Sequence, residues 1–499
     1  MNFTLKVRHL LAFGLFLATG LSQPKTLTIL HTNDIHASFV PHEAFWMRQT
    51  PKPLIGGFNE LYAAVDSIRK LRATLVLDAG DVMTGNPISN IVYKGAEGGA
   101  LYELMSRIGY DAACPGNHDF DISRANFQRL TAVARYPIIS ANLVDQEGKF
   151  SLNMAAYTVL EKDGLKIGLI GVMSDEFYSL VSKKSSAGLK VLSPVETVQK
   201  LIDQLDPQTD LLIAISHEGV QEDSILAART KGLDIIISGH SHTRINKPKI
   251  VNGVIIVQTG SNCENLGVLD VTVEKDQVTS SNGMLLPLWY NGARPASPLS
   301  GLIDSMKQQI DKDYQEVIGT LKEDWKRRNG ETAIGNFIAD AQREAAGADV
   351  GFMNNSGIRK DLAAGPVTRR DVFEVLPFAN TLVTFPLTGA QVRTMVLHEI
   401  QTGPAIQTSG IKCEWRKNPK GDVEILRLEV NGAPVEDAKT YQGAASDYMV
   451  GEAKRYLGFD VTDVTQLDQS VFSSIEQKVR KEKVLTTTIE GRIKEVQKP

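Results

Sequence analysis

Leu233-Asp234-Ile235-Ile236-Ile237-Ser238-Gly239-His240-Ser241-His242 runs from an apolar segment straight into two imidazoles. A short run rich in isoleucine and closed by glycine reads as a buried strand, with ligand-type side chains at its carboxyl end. The same arrangement recurs upstream. Residues 26–30 lead to Asp34-Ile35-His36, residues 74–77 to Gly80-Asp81, and residues 211–215 to Ser216-His217-Glu218. A fifth segment, Gly116-Asn117-His118-Asp119, follows a short strand around Ala112. Ligands of open α/β sheets collect at the carboxyl ends of the strands. The recurrence therefore places all these side chains on one rim of a sheet.

Segments with helical spacing lie between these runs, at residues 59–71, 98–107, 123–133, 194–205 and 221–230. Further strand-like runs lie at 138–141 and 167–172. Strands alternating with helices predict a layered α/β domain. A variable stretch from about 276 to 298, containing Asn291-Gly292, reads as the exit from that domain. Residues 300–316 then predict a connecting helix, because Leu302, Ile303, Met306 and Ile310 share one face. A second α/β domain follows. In it, Gly335-Asn336-Phe337-Ile338-Ala339-Asp340-Ala341 opens a helix, and Asn354-Asn355-Ser356-Gly357-Ile358-Arg359 ends a strand in a turn.

The chain has 499 residues, room for two or three domains. An apolar content of 42% sustains a packed core throughout. A net charge of -4 makes no electrostatic case for a nucleic-acid polymer or an anionic membrane surface. A phosphate-bearing ligand must then be attracted locally, by metals and a few arginines. At the N-terminus Lys6, Arg8 and His9 precede an apolar run from Leu10 to Leu21, with Gly20 and Ser22 as small residues for cleavage. That run is about a dozen residues, short of the roughly 20 needed to span a bilayer. Residues 1–22 are thus expected to be an export signal, and the protein periplasmic or extracellular without stable membrane insertion. The polar C-terminus lacks the hydrophobic tail of a lipid-anchor signal. Cys114, Cys263 and Cys413 form no Cys-x-x-Cys pair, so they imply no metal cluster and at most one bridge. Cys114 reads as a small buried hydrophobe.

The chain has nine histidines, and His36, His118, His217, His240 and His242 all fall in the ligand-type segments. A lone histidine at a strand end is an ordinary satisfied polar group. Five of them beside matched Asp and Asn residues point to a metal centre. The set can hold two divalent ions side by side with one imidazole left over. Two such ions clamp the attacking and leaving oxygens of an in-line phosphoryl displacement. Mixed oxygen and nitrogen ligation suits zinc, manganese or iron better than magnesium or calcium, and does not choose among the three.

Four segments carry a family resemblance. His31-Thr32-Asn33-Asp34-Ile35-His36, Asp78-Ala79-Gly80-Asp81, Gly116-Asn117-His118-Asp119-Phe120-Asp121 and Gly239-His240-Ser241-His242 resemble the motifs of calcineurin-like metallophosphoesterases. The match is closer still to the 5′-nucleotidase family. It implies an N-terminal four-layer α/β/β/α sandwich (23–298), a linker helix (299–318) and a second α/β substrate-binding domain (319–499). It also implies that Asp34, His36 and His242 hold one metal, that Asn117, His217 and His240 hold the other, and that Asp81 bridges both. His118, oriented by Asp121, would stabilise charge on the phosphoryl group or leaving oxygen. A metal-activated water would attack phosphorus.

The second half resembles the substrate-binding domain of the same family. That likeness implies that Asn355 and Arg359 contact polar groups of a nucleotide, and that Phe378 and Tyr448 stack on its base. Arg327 and Arg328 lie near another arginine position of the family. Two departures stand out. Ser356 replaces a glycine of the family's turn, and Val450-Gly451-Glu452-Ala453-Lys454 replaces its glycine-rich segment after the second ring. The expected activity is release of phosphate from nucleoside 5′-monophosphates. Action on 2′,3′-cyclic nucleotides, 3′-nucleotides or nucleotide sugars is the near alternative. A thiosulfohydrolase or a non-catalytic binding protein of the same architecture is the distant one.

Overall fold

Strands with apolar side chains on both faces need cover on both sides. The computed structural model describes residues 24–496 except Phe45, Thr50, Ser151, Arg294, Pro295 and Ala379. It supplies that cover by packing two sheets face to face and flanking them with helices. One sheet runs in the order Val278–Pro287, Asn265–Val273, Lys25–Thr32, Thr74–Asp78, Ala112–Ala113. The other runs Lys249–Val251, Val254–Val257, Ile235–Ser238, Leu211–His217, Leu165–Met173, Tyr157–Lys162. Alternate residues divide between the layers. Leu27, Ile29, Leu75, Ile213, Ile215, Ile235 and Ile237 meet between the sheets. Leu30 and Val76 face helices Phe58–Arg69 and Gly99–Ile108 through Leu61 and Leu101. Leu212, Ala214 and Ile236 face helices Pro194–Leu205 and Val220–Arg229 through Ile202 and Leu226. The result is the expected four-layer α/β/β/α sandwich.

Two expectations need correction. The stretch read as a domain exit contains the ten-residue strand Val278–Pro287, antiparallel to Asn265–Val273. A tight turn forms it: Lys275 and Asp276 both sit at positive φ while Glu274 and Gln277 exchange backbone hydrogen bonds. That geometry matches the right-handed twist of a hairpin. The strand looked like a linker because an edge strand can keep a polar, solvent-facing side. In the other case, Ile138 and Ile139 make only isolated bridges, to Ala113 and Ala155. This run straps the ends of the two sheets together, and Ala141 N donates to Gly171 O.

Helix Ser300–Tyr314 packs Leu302, Ile303, Met306 and Ile310 into the core under the first sheet. Beyond it, a sheet runs Ile406–Ser409, Val350–Asn354, Thr440–Ser446, Thr381–Thr388, Thr465–Ser470. Helix Ala333–Ala346, capped by Thr332, packs on it. The cap is physical: the Thr332 hydroxyl accepts from Gly335 N and satisfies one orphan donor of the first turn. Cys114, Cys263 and Cys413 are all buried and free. Among the described residues no helix is long and apolar enough to cross a membrane. The expected export signal lies outside the described residues.

Candidate active site

The rim predicted from the sequence exists, and its backbone is strained. Asp34, His36, Asp81, His240 and His242 all have φ between 47° and 71°. Non-glycine residues avoid this left-handed region at a cost of roughly 1–2 kcal/mol each. Sharp turns directly after the strands Lys25–Thr32, Thr74–Asp78 and Ile235–Ser238 force that conformation and aim the side chains into one cleft. Close approach fixes neighbouring glycines. A Cβ on Gly116 would collide with the Asp81 carboxylate, and one on Gly239 would collide with Ala79 O.

Two ligand groups result. Asp34, His36 and His242 form one, and Asp81, His217 and His240 the other, each with its ligand atoms within 4.8 Å of one another. His36 Nε2 lies 3.0 Å from His242 Nε2, and His242 Nε2 lies 3.3 Å from Asp34 Oδ1. Asp81 Oδ2 lies 3.2 Å from His217 Nε2 and 4.0 Å from His36 Nε2, so this carboxylate reaches both groups. The second nitrogens are anchored: His217 Nδ1 contacts Ala79 O at 2.6 Å, and His36 Nδ1 contacts Thr84 O at 3.1 Å. Such contacts leave the Nε2 lone pairs for a metal. Asn117 Oδ1 is buried with no hydrogen-bond partner. A buried amide oxygen without a donor is costly, and a cation is the partner that fits it. The donor set therefore fits a pair of divalent ions.

Electrostatics agree with cation sites. Burial opposes charge on Asp81, but the imidazoles of His217 and His118 outweigh it and hold the carboxyl well below its usual range. Burial likewise opposes charge on His217, yet Asp81 pulls it up to about 10. Without metal, a proton on His217 thus supplies the countercharge. Burial, reinforced by His217, pushes His240 down to about 4, which leaves it neutral and ready to ligate.

His118 belongs to neither group. Its Nδ1 lies 2.8 Å from Asp121 Oδ2, which also accepts from Thr84 Oγ1 at 2.7 Å. Burial opposes its charge, but Asp121 and Asp81 raise its pKa. The Asp121 contact leaves Nε2 as the free ring nitrogen.

The second half of the chain closes over this rim. The Phe378 ring centre lies 5.6 Å from that of His118. The Arg359 guanidinium carbon lies 5.9 Å from the Phe378 ring centre. Burial lowers the Arg359 pKa, while Asp81, Asp121 and Asp34 all act on its charge in the opposite sense. Asn355 is engaged elsewhere: its Nδ2 donates to Pro404 O and its Oδ1 accepts from Gln407 Nε2. Tyr448 donates its hydroxyl to Ser179 O in the first half, and its ring lies 6.4 Å from Tyr456. No Phe378–Tyr448 ring contact occurs among the described residues. Arg327 pairs with Asp361, and Arg328 donates to Glu331 O.

Comparison with known proteins decides the family. The model of the calcineurin-like phosphoesterases matches residues 27–244, and that of the 5′-nucleotidase C-terminal domain matches residues 317–460. The chain belongs to the 5′-nucleotidase family. It is 29% identical to the 5′-nucleotidase of Diplobatis ommata, over 95% of this chain and 90% of that one. It is 28% identical to the trifunctional nucleotide phosphoesterase YfkN of Bacillus subtilis, over 94% of this chain but 35% of that longer protein. The crystal structure of a 5′-nucleotidase precursor from Thermus thermophilus superimposes with a TM-score of 0.82 at 27% identity, covering 95% of this chain and 100% of that one. This 5′-nucleotidase-family chain is a metal-dependent phosphoric monoester hydrolase.

Some of the machinery carried no sequence signal. Asp119 accepts from Asp81 N, Val82 N, Met83 N and Gly116 N, and so clamps the turn that carries Asp81 to the one that carries Asn117. Asn33 donates to the Asp34 carboxylate and accepts from Thr259 N. Both residues lie inside quoted motifs, but nothing in their spacing separates a clamp from a ligand. Asp119→Ala strands four buried N–H groups, each costing about 1–3 kcal/mol. The variant is expected to lose at least about 3 kcal/mol of stability by denaturant unfolding. A loss within experimental error would remove Asp119 from the clamp.

Proposed function

We propose that this chain is an exported 5′-nucleotidase that hydrolyses nucleoside 5′-monophosphates to nucleoside and phosphate. One observation carries the reading: Phe378, from the second half, lies against His118 beside the ligand groups of the first, with Arg359 over its ring. A guanidinium and an aromatic face beside a dimetal rim suit a phosphate joined to a base. In this reading residues 1–22 are removed on export, 23–298 carry the metals, 299–318 link, and 319–499 bind the nucleotide.

Asp34, His36 and His242 would hold one ion and Asn117, His217 and His240 the other, with Asp81 in reach of both groups. Divalent ions of the zinc, manganese or iron type would lower the pKa of a water there and neutralise phosphoryl charge. The chain's own residues do the rest. Arg359 draws the anionic phosphoryl group to the rim and holds it in line. His118 Nε2 donates to the phosphoryl or leaving oxygen as the ester P–O bond breaks and the new one forms. Asp121 fixes the His118 tautomer and supports its charge. Phe378 stacks on the base, a contact worth about 1–3 kcal/mol. Closure of the second half excludes water, and the linker helix region is the hinge. Asn355 and Tyr448 complete the nucleotide site in the reading, each after release from its present partner.

The test is phosphate release by manganese- or zinc-loaded protein from AMP, UMP, 2′,3′-cyclic AMP, ADP and UDP-glucose. Fast release from AMP or UMP, reduced about 100- to 10,000-fold in His118→Ala, is the expected result. Preference for the cyclic or diphosphate substrates would keep the chemistry and replace the 5′-monophosphate assignment. No release from any of them, with both metals bound, would leave a sulfur substrate or simple binding.

A further inference from the structure

Away from the metal rim, the second half encloses a cavity of about 190 Å³. Drug-sized ligand sites start near 300 Å³, so this one suits a fragment and excludes a nucleotide. Its apolar wall is Trp415, Ile400, Ile406 and Ile493. Its polar lining is unusual in sign, because the donors there are already used. Arg492 spends its guanidinium on Asp340 Oδ1 and Oδ2, Glu490 Oε2 and Thr408 O. Gln407 Nε2 donates to Gly330 O and Asn355 Oδ1. Asn336 Nδ2 donates to Glu331 Oε1 and Thr488 O.

Acceptors remain. Asn336 Oδ1 is fully buried and has no hydrogen-bond partner. Glu399 is 7% exposed and accepts only two long bonds, from Ala405 N at 3.2 Å and Ile406 N at 3.3 Å. Neither Glu399 nor Glu331 pairs with a lysine or arginine among the described residues, and the charge of Arg492 is cancelled by Asp340 and Glu490. Burial pushes the Glu399 carboxyl up to about 7, as expected for an acid without a countercharge. A cavity with an aromatic wall and an uncompensated carboxylate lacks a cation with N–H donors.

We propose that this cavity binds a small flat organic cation, an amidinium or guanidinium, stacked on Trp415 and bonded to Glu399. The site is separate from the nucleotide reading and stands without it. It touches the substrate side through one bond, Gln407 Nε2 to Asn355 Oδ1 at 2.5 Å.

Calorimetric titration of the metal-loaded full chain with benzamidine tests this, with benzamide and benzoate as neutral and anionic controls and inorganic phosphate present throughout. One benzamidine per chain is expected, with no binding of benzoate and at least about tenfold weaker binding of benzamide. Glu399→Gln and Trp415→Leu should each weaken benzamidine at least about tenfold, while Phe378→Ala should leave it unchanged. Absence of benzamidine binding, equal binding of benzoate, or full affinity in either cavity variant overturns the proposal. Should Glu399→Gln fail to fold, Trp415→Leu and the charge series decide it alone.

Discussion

Asp81→Ala is expected to release phosphate at least about 1,000-fold more slowly than the native protein, a loss of about 4 kcal/mol of transition-state stabilisation. The carboxylate has three tasks in one place. Oδ1 accepts from His118 N at 2.7 Å, which sets the turn bearing Asn117 and His118. Oδ2 lies within reach of His217 and His36, one from each ligand group. Its charge is also what raises His217 to about 10. Alanine removes all three, so metal analysis should find fewer than two ions per chain. Asp81→Asn keeps an acceptor for His118 N but removes the bridging charge. It should restore the fold more than the activity. Near-native turnover by Asp81→Ala with two ions bound would remove Asp81 from the bridge.

Stripping the metals should stop turnover entirely and lower stability, and both should return on reloading. The rim concentrates Asp34, Asp81 and four imidazoles grouped as candidate metal ligands, with Asn117 Oδ1 unsatisfied. Ions that bind only the folded chain stabilise it, by about 4 kcal/mol at 1,000 times their Kd. The pH dependence has a definite sign. A ligating imidazole must be neutral, and His217 in the metal-free protein holds its proton up to about 10. Metal uptake at neutral pH should therefore release a proton, and affinity should weaken as pH falls. Titration calorimetry in two buffers of different ionisation enthalpy measures that proton. Uptake with no proton release would mean that His217 is not a ligand.

The candidate ligands Asp34, His36, Asp81, His217, His240 and His242 were legible because each ends or follows a strand whose own signal is strong. Ile235, Ile236 and Ile237 announce a buried strand, and His240 and His242 come directly after it. The same logic located Asp34, Asp81 and His217, since strand ends in an α/β sheet share a rim. It failed where local polarity misleads. Val278–Pro287 reads as a linker because its outward side chains are polar, and only pairing with Asn265–Val273 makes it a strand. It was also silent on strain. Left-handed φ at Asp34, His36, Asp81, His240 and His242 has no residue-type signature, since none of these is glycine.

Sequence alone determined the layered α/β class and picked out the candidate metal-ligand segments, because strand periodicity and ligand type are local properties. Tertiary structure brought the candidate ligands to one rim, showed Asp119 clamping the turn of Asp81, and set Phe378 against both His118 and Arg359. It alone exposed the cavity under Trp415. The physical reason is that distance, burial and the sharing of one hydrogen-bond donor between acceptors arise only when segments remote in the chain are packed together.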